Sequence, residues 1–327
     1  MNKLLFLFVS AMLIISCGES DTNNVSQRVL PDSNGRINAL TVVMDNELWE
    51  GSVGNAVRDS LAKPVDGLPQ DEPLFEISHL PTGTFSGFAT KSRTILIAQK
   101  GTQNRFAIDK DVYAKPQRVA VLEGKTDADI VRLIQENADR ISEVFKEGEV
   151  NETMRRIHKS LHGDESLKEN LKIDVPIPTA YRFALSTPNF FWIRKDIPQG
   201  HMNLLAYELP HRTFNNDSEV LDFIIRTRDS IGAAHIPGRL EGSHLITEEA
   251  YAPFLNESMI SGRKCWETKG TWEVKNDFMA GPYVSYLIDD VENNRLVVLE
   301  GFVFKPSNEK RDNVFELESI LKSTKFL

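Results

Sequence analysis

The chain has 327 residues, with 38 Lys and Arg set against 47 Asp and Glu for a formal charge of −9. That acidic balance, without a basic block, argues against a nucleic-acid or anionic-lipid partner, whose phosphates call for a cationic face. The two cysteines, Cys17 and Cys265, exclude a disulfide-stapled scaffold, so an apolar core must hold the fold.

Met1-Asn2-Lys3 puts a positive charge ahead of an apolar run over residues 4–15. A charged start, about a dozen apolar residues and a small residue before the cut form the layout of a secretory signal. The run falls short of the roughly 20 apolar residues that a spanning helix needs. Ile14-Ile15-Ser16-Cys17 resembles a bacterial lipobox. The resemblance implies a signal peptide over 1–16, acylation of Cys17 and attachment to a membrane through the acyl chains. Residues 17–34 are then the lipidated cysteine and a polar tether, and the folded body opens at Gly35. Gly18, not aspartate, follows the cysteine. By analogy with lipoprotein sorting this points to the outer membrane, at its periplasmic face or at the cell surface.

The run 37–44 reads as a strand. Leu48, Trp49, Val53, Ala56, Val57 and Leu61 recur at helical spacing despite Gly51 and Gly54, and Pro64 ends that helix. Residues 74–78, 94–98 and 118–122 read as strands, the second apolar enough to be covered on both faces. Thr126 caps the clearest helix, with Ile130, Ile134, Ile141 and Phe145 on one stripe. Gly148 is expected to break it, and a second helical segment follows over 151–162. Residues 181–185, 190–194 and 203–209 are strands joined by short turns, an antiparallel meander. Asn216, with Glu219 three residues on, caps a helix whose core face carries Val220, Phe223, Ile224 and Ile231. A loop over 232–242, a brief strand at 243–246 and a short helix capped by Thr247 come next. Residues 265–274, 283–288 and 295–305 are strands, with Gly270 marking a turn or bulge, and 311–323 closes the chain as a helix.

Grouped strands and helices give an α+β fold, with largely antiparallel sheets packed against amphipathic helices. One domain over 35–327 is the expected unit, and 165–178 is where it would divide. Val121-Leu122-Glu123-Gly124 and Val298-Leu299-Glu300-Gly301 match, which leaves a duplicated α+β unit open.

The chain has no phosphate loop, dinucleotide fingerprint, His-Glu-x-x-His helix or Gly-x-Ser-x-Gly elbow, and no cofactor is expected. His158 and His162 stand four apart, as metal ligands on a helix would. No carboxylate lies between them, so surface histidines are the plainer account and no metal is assigned. The stretch 226–244 gathers histidines, arginines, acids and glycines at a helix end and loop. There Asp229 is placed to orient His235, with His244 close by, and Arg226 or Arg239 to clamp an anion. The plainer account is helix-end charge beside a structural loop. Trp266 and Trp272, six apart, share one face of a regular strand. They either form a sugar-stacking platform or, as favoured here, seat the sheet against its helices. Cys265 reads as a small buried hydrophobe.

Several stretches resemble a family of uncharacterised Bacteroidetes lipoproteins that carry a domain of unknown function, DUF4837. They include Asp45-Asn46-Glu47-Leu48-Trp49, Gly67-Leu68-Pro69-Gln70-Asp71-Glu72-Pro73, Arg228-Asp229-Ser230-Ile231-Gly232, Trp272-Glu273-Val274 and Gly281-Pro282-Tyr283-Val284-Ser285-Tyr286. The resemblance runs from about residue 30 to the end. It implies lipoprotein status and brings no activity. The expected function is that of a cell-envelope lipoprotein acting as a binding or assembly module, held by its acyl chains and meeting an envelope protein or a glycan. The alternative is an envelope hydrolase built around 226–244.

Overall fold

The computed structural model describes residues 29–327; the signal segment, Cys17 and most of the tether lie outside the described residues. The chain is already pinned ahead of Gly35. Lys115 N–H donates to the Pro31 carbonyl at 2.9 Å, and Asn34 N–H donates to the Lys91 carbonyl at 2.8 Å. The folded body therefore begins a few residues earlier than the sequence suggests.

Alternating apolar residues build the first sheet. Its strands are β1 (Ala39–Val43), β2 (Glu76–Leu80), β3 (Thr94–Lys100), β4 (Arg105–Lys110) and β5 (Arg118–Gly124), in the order β2-β1-β3-β5-β4. The first three pairings are parallel, and β4 joins antiparallel. Leu40, Val42 and Leu96 face α2 (Ser52–Leu61) and α3 (Asp127–Ile157). Val43, Ile95 and Val119 face the other way, under Phe85, Val112 and Tyr113. Coverage on both faces is what a parallel arrangement requires. The helix expected over 46–61 is split at Gly51 into α1 (Asn46–Glu50) and α2. Gly54 sits where a Cβ would stand 1.9 Å from the Trp49 carbonyl oxygen, so the split helix needs glycine there.

Helix α3 is one element of 31 residues, not two. Gly148 stays inside it. A glycine costs a helix interior about 1 kcal/mol against alanine, which tertiary contacts can outweigh. Here the next residue, Glu149, is fully buried and accepts from Arg93 Nε at 2.7 Å, Thr94 Oγ1 at 3.0 Å and Asn38 N–H at 2.9 Å. Those bonds tie the turn that follows the glycine to the sheet.

A short helix, α4 (Ser166–Leu171), and the two-residue strand β6 (Ile173–Asp174) lead into the second sheet. The expected meander is present as β7 (Arg182–Ser186), β8 (Phe190–Ile197) and β9 (Gly200–Pro210). Helix α5 (Asp217–His235) follows, capped by Asn216, whose side chain accepts from Glu219 N–H at 3.0 Å. Next come β10 (Leu245–Thr247), β11 (Phe254–Ile260), β12 (Arg263–Val274), β13 (Ala280–Asp290) and β14 (Arg295–Phe304). Helix α6 (Arg311–Lys322) precedes β15 (Lys325–Phe326), which pairs with β6. The sheet order is β10-β12-β13-β14-β9-β8-β7, antiparallel throughout, and β11 shares the free edge of β12 with β10. Thr247 ends β10 instead of capping a helix, and β12 runs straight through Gly270, which pairs with Tyr283. The α+β class holds. The four-residue match does not extend to topology: its first copy lies in the mainly parallel sheet and its second in the antiparallel one.

Strand alternation gives the large sheet two apolar faces. Phe191, Leu204, Tyr286 and Leu299 pack toward α4, α6 and the end of α3. Leu205, Tyr207, Leu287 and Val298 pack toward α5. Cys265 lies in the first of these layers, fully buried, and burial pushes its thiol up to about 11, so it packs as an inert hydrophobe.

The two sheets meet through polar groups. Asn38, fully buried and at φ +59°, accepts from Lys146 Nζ at 2.8 Å and donates to Asp312 at 3.0 Å. The Lys146 ammonium lies 4.8 Å from the Phe75 ring and 4.7 Å from the Phe315 ring. Helix α6 has no side-chain cap from its own flank; Glu72 supplies one, accepting from Lys310 N–H at 2.8 Å and Arg311 N–H at 2.7 Å.

Inside the second sheet, Arg228 of α5 reaches Glu300 of β14. Nε to Oε2 is 2.9 Å, Nη2 to Oε1 is 2.8 Å, and both residues are about 98% or more buried. Nη1 donates to Thr247 Oγ1 at 2.5 Å, and the guanidinium lies 3.5 Å over the Tyr283 ring. Burial opposes the charge, but Glu300 holds the guanidinium pKa above its ordinary value. Removing one partner leaves a bare buried charge. Arg228→Met or Glu300→Leu alone should cost about 3 kcal/mol or more, and the double replacement should recover much of it, as urea denaturation would show.

Burial lowers the Lys146 pKa to about 8, while in the unfolded chain it returns to the ordinary lysine value of 10.5. Between those values the unfolded chain holds a proton that the folded chain has released, so stability from this group rises with pH across that window. Below it the charged amine is a standing cost. The stability gap between wild type and Lys146→Met should move toward the wild type by up to about 3 kcal/mol from pH 8 to 10.5. A gap that stays flat in denaturation at pH 7.5, 9 and 10.5 would refute the depressed amine.

Candidate functional site

Helix α5 is shorter than the sheet face it covers. Its last residue, His235, stacks on Phe190 with ring centroids 4.1 Å apart. Beyond that point β8, β9, β12 and β14 lie open, and residues 236–239 fold down beside them. Gly232 lets the helix end close on β10, since a Cβ there would stand 1.9 Å from the Leu245 carbonyl oxygen. The uncovered end is a cavity of about 360 Å³. Trp272, Phe302, Phe304 and Trp192 line it, and His201, Arg194 and Arg239 add polar groups. An apolar cavity with a few convergent polar groups is the usual form of a small-molecule site. Three depressions are larger: two, of about 550 and 630 Å³, are walled mainly by charged and polar side chains, among them the paired Lys195 and Glu316, and a third, of about 580 Å³, lies between Leu68, Pro69, Tyr251 and Phe254 with Glu248 as its one charged group.

The rim is set by two loops. The 236–243 segment and the β12–β13 hairpin are joined by Arg239, whose Nε and Nη2 donate to Asp277 at 3.0 and 2.7 Å. Leu240 and Phe278, beside that pair, are exposed. Inside, Trp272 is almost fully buried, and its Nε1–H donates to the Val303 carbonyl at 3.3 Å. Asn203 is fully buried and joins Trp192 to His201: Trp192 Nε1 stands 3.0 Å from its Oδ1, and its Nδ2 stands 2.8 Å from His201 Nδ1. Burial, with the Arg194 cation nearby, pushes the His201 imidazole down to about 4, so it is neutral at pH 7.

The sequence-derived candidates divide around this cavity. Arg239 and Trp272 line it. Arg226 lies on the exposed side of α5, away from it. Asp229 does not orient His235. Its Oδ1 accepts from Thr247 N–H at 2.7 Å, and the two residues are six apart on one helix, on different faces. His244 Nδ1 faces the Gly242 carbonyl at 3.3 Å. No acid–histidine pair is assembled in 226–244. The loop expected over 232–242 begins later, because α5 continues to His235. Trp266 and Trp272 do share a face, and both belong to the core under α5, so they seat the sheet and leave no exposed sugar platform. His158 and His162 both border the 630 Å³ depression, but α3 ends at Ile157 and the helical spacing between them is lost. His158 Nδ1 lies 2.6 Å from the Met154 carbonyl, and His162 Nδ1 accepts from Asp164 N–H at 3.2 Å. Among the described residues no three His, Cys, Asp or Glu side chains are grouped to hold a metal.

His201, Asn203, Trp192 and Arg194 were not singled out from sequence. Their signal was the alternation itself: Trp192 and Arg194, like His201 and Asn203, are two apart on strands and share a face. Which part of that face stays open depends on where α5 stops.

Among the described residues no helix is long and apolar enough to cross a membrane. No functionally curated protein matches the chain. Among solved structures it is similar to LpqN of Mycobacterium tuberculosis, described as involved in cell envelope biogenesis. The identity is 14% and the TM-score 0.29, over 47% of this chain and 82% of LpqN, a likeness too loose to carry the site across. A second domain of unknown function, DUF8532, matches residues 33–158 and takes in the resembling stretches near 45 and 67. The model of DUF4837, also a domain of unknown function, matches residues 160–323, half of the chain, and spans the whole large sheet, α5 and the cavity. The chain belongs to the DUF4837 family.

Proposed function

We propose that this protein is a lipid-anchored binding module of the cell envelope, and that its ligand sits in the cavity at the open end of the large sheet. The cavity carries the reading: the partly exposed Trp192 and Phe304 and the nearly buried Trp272 and Phe302 line it, with a few polar groups at its edge, which is the usual form of a small-molecule site. The anchor rests on Lys3, the apolar run 4–15 and Ile14-Ile15-Ser16-Cys17, followed by Gly18. Acylation at Cys17 would place the body outside the cytosol, at the outer membrane, where a small envelope molecule or the exposed end of a glycan or protein is within reach. A hydrolase at 226–244 has less support, since Asp229 and His235 are engaged separately.

Mass spectrometry of the protein taken from its own membrane tests both parts. The expected mature chain begins at Cys17 and carries acyl mass; a chain beginning at Met1, or an unmodified cysteine, sinks the anchor. Under native conditions a small molecule should stay bound to the wild type. It should be lost from Met279→Trp, which enlarges a side chain lining the cavity from the hairpin edge, with little change in melting. Equal ligand content in the two proteins would sink the site.

A further inference from the structure

The polar groups at the cavity point to one kind of ligand. The indole Nε1–H of Trp192 can only donate, so the Asn203 atom facing it at 3.0 Å must be the amide oxygen. That fixes the amide, and its nitrogen faces His201 Nδ1 at 2.8 Å. An amide nitrogen can only donate, so Nδ1 is the acceptor and the neutral ring carries its proton on Nε2. Among the described residues Nε2 has no hydrogen-bond partner, and it is not sealed from solvent. A fully buried asparagine on an aromatic sheet face is thus spent on holding one imidazole in one tautomer, with a free donor at the cavity.

Charge adds a second constraint. Arg194 donates through Nε to Asp196 Oδ1 at 3.0 Å, and Arg182 donates to Oδ2 of the same carboxylate at 3.0 Å. One acid therefore serves two guanidiniums, leaving this edge of β8 with a surplus positive charge. The terminal nitrogens of Arg194 have no protein acceptor among the described residues. Arg239, at the other side of the mouth, is matched by its own Asp277. The floor between them is apolar.

Resting on the cavity being a ligand site, we propose that its ligand is a single-chain anionic amphiphile. Its chain lies against Phe304 and Trp192, over the edges of the nearly buried Trp272 and Phe302, and a head oxygen accepts from His201 Nε2–H beside the Arg194 guanidinium. Asn203 and Trp192 are positioning residues for that donor. A neutral alcohol would fill the same space and its oxygen can accept from the imidazole N–H, but it leaves the cation unanswered, and a charged hydrogen bond lost in this way weakens binding by about tenfold or more.

The test uses the full chain carrying Cys17→Ser, so that no acyl group of its own competes. Dodecanoate, dodecyl phosphate, dodecanol and acetate are titrated below micelle-forming concentrations, followed by calorimetry and tryptophan fluorescence. At least one of the two anionic chains should bind about tenfold or more tighter than dodecanol, and acetate should not bind measurably. The tighter of the two names the head, carboxylate or phosphate. Arg194→Gln should bring the anionic chain close to dodecanol while sparing dodecanol itself, and His201→Phe should weaken the anionic chain several-fold; an anionic chain unaffected by both would overturn the head-group proposal. Equal affinities in the wild type would overturn the head-group proposal and leave the cavity a chain-binding site. Failure of every chain to bind would overturn the cavity reading as well. Nitrogen-15 NMR of the His201 ring gives an independent readout. The wild type should show the Nε2–H tautomer alone, and Trp192→Phe, which keeps a ring but deletes the N–H, should show a mixture. A wild-type ring protonated on Nδ1 would overturn the proposal.

Discussion

Arg228 and Glu300 are joined by two parallel hydrogen bonds with almost no water around them. Such a pair gains little net stability over a hydrophobic one, because both ions must be stripped of solvent. What it supplies is position. The guanidinium cannot slide along the sheet without leaving Glu300, Thr247 and the Tyr283 ring together. Helix α5 is thereby held at one place on β13 and β14, and β10 is drawn in beside it. Because the helix is fixed there and stops at His235, a cavity remains at the far end of the same face, where the aromatic core reaches its edge.

The pair also shows what could be read in advance. Val220, Ile224, Arg228 and Gly232 step by four along α5, so a lone arginine stands on an otherwise apolar stripe. Glu300 is the one charged residue between Leu296 and Phe304. Each is an anomaly on its own element, and together they are each other's explanation. Arg226 and Arg239, the arginines that stand out beside the glycine-rich loop, belong instead to solvent-facing positions. Short-range chemistry was more legible. The Asn216 cap and the 181–209 meander follow from neighbouring residues and were found. Gly148 misled, because the bonds that carry α3 past it come from Arg93, Thr94 and Asn38, far away in the chain. Strand β11 was missed because it carries polar residues on an edge, with Asn256, Glu257 and Ser258 at its centre. The parallel direction of the first sheet is a matter of connection, which periodicity does not encode.

His201 illustrates the same limit at the site. Nothing in Gly200-His201-Met202-Asn203 marks a binding residue. Its role arises from Trp192 on the neighbouring strand and from the absence of a helix above it. Both conditions are set by the antiparallel register and by the length of α5, so they appear only once the sheet is assembled.

The cap on α6 reaches beyond its own helix. The matches to the two family models adjoin near residue 159, an inviting place to divide the chain for separate production. Yet the carboxylate that closes the α6 N-terminus lies 238 residues upstream, in the other half. A fragment starting at 160 would carry a helix with two bare amides at its first turn and Phe315 stripped of its Lys146 neighbour, while the complementary fragment would keep an acid built for a helix it no longer has. The halves are recognised as separate sequences, yet each completes a polar contact of the other, and inheritance of one without the other would have to replace that carboxylate.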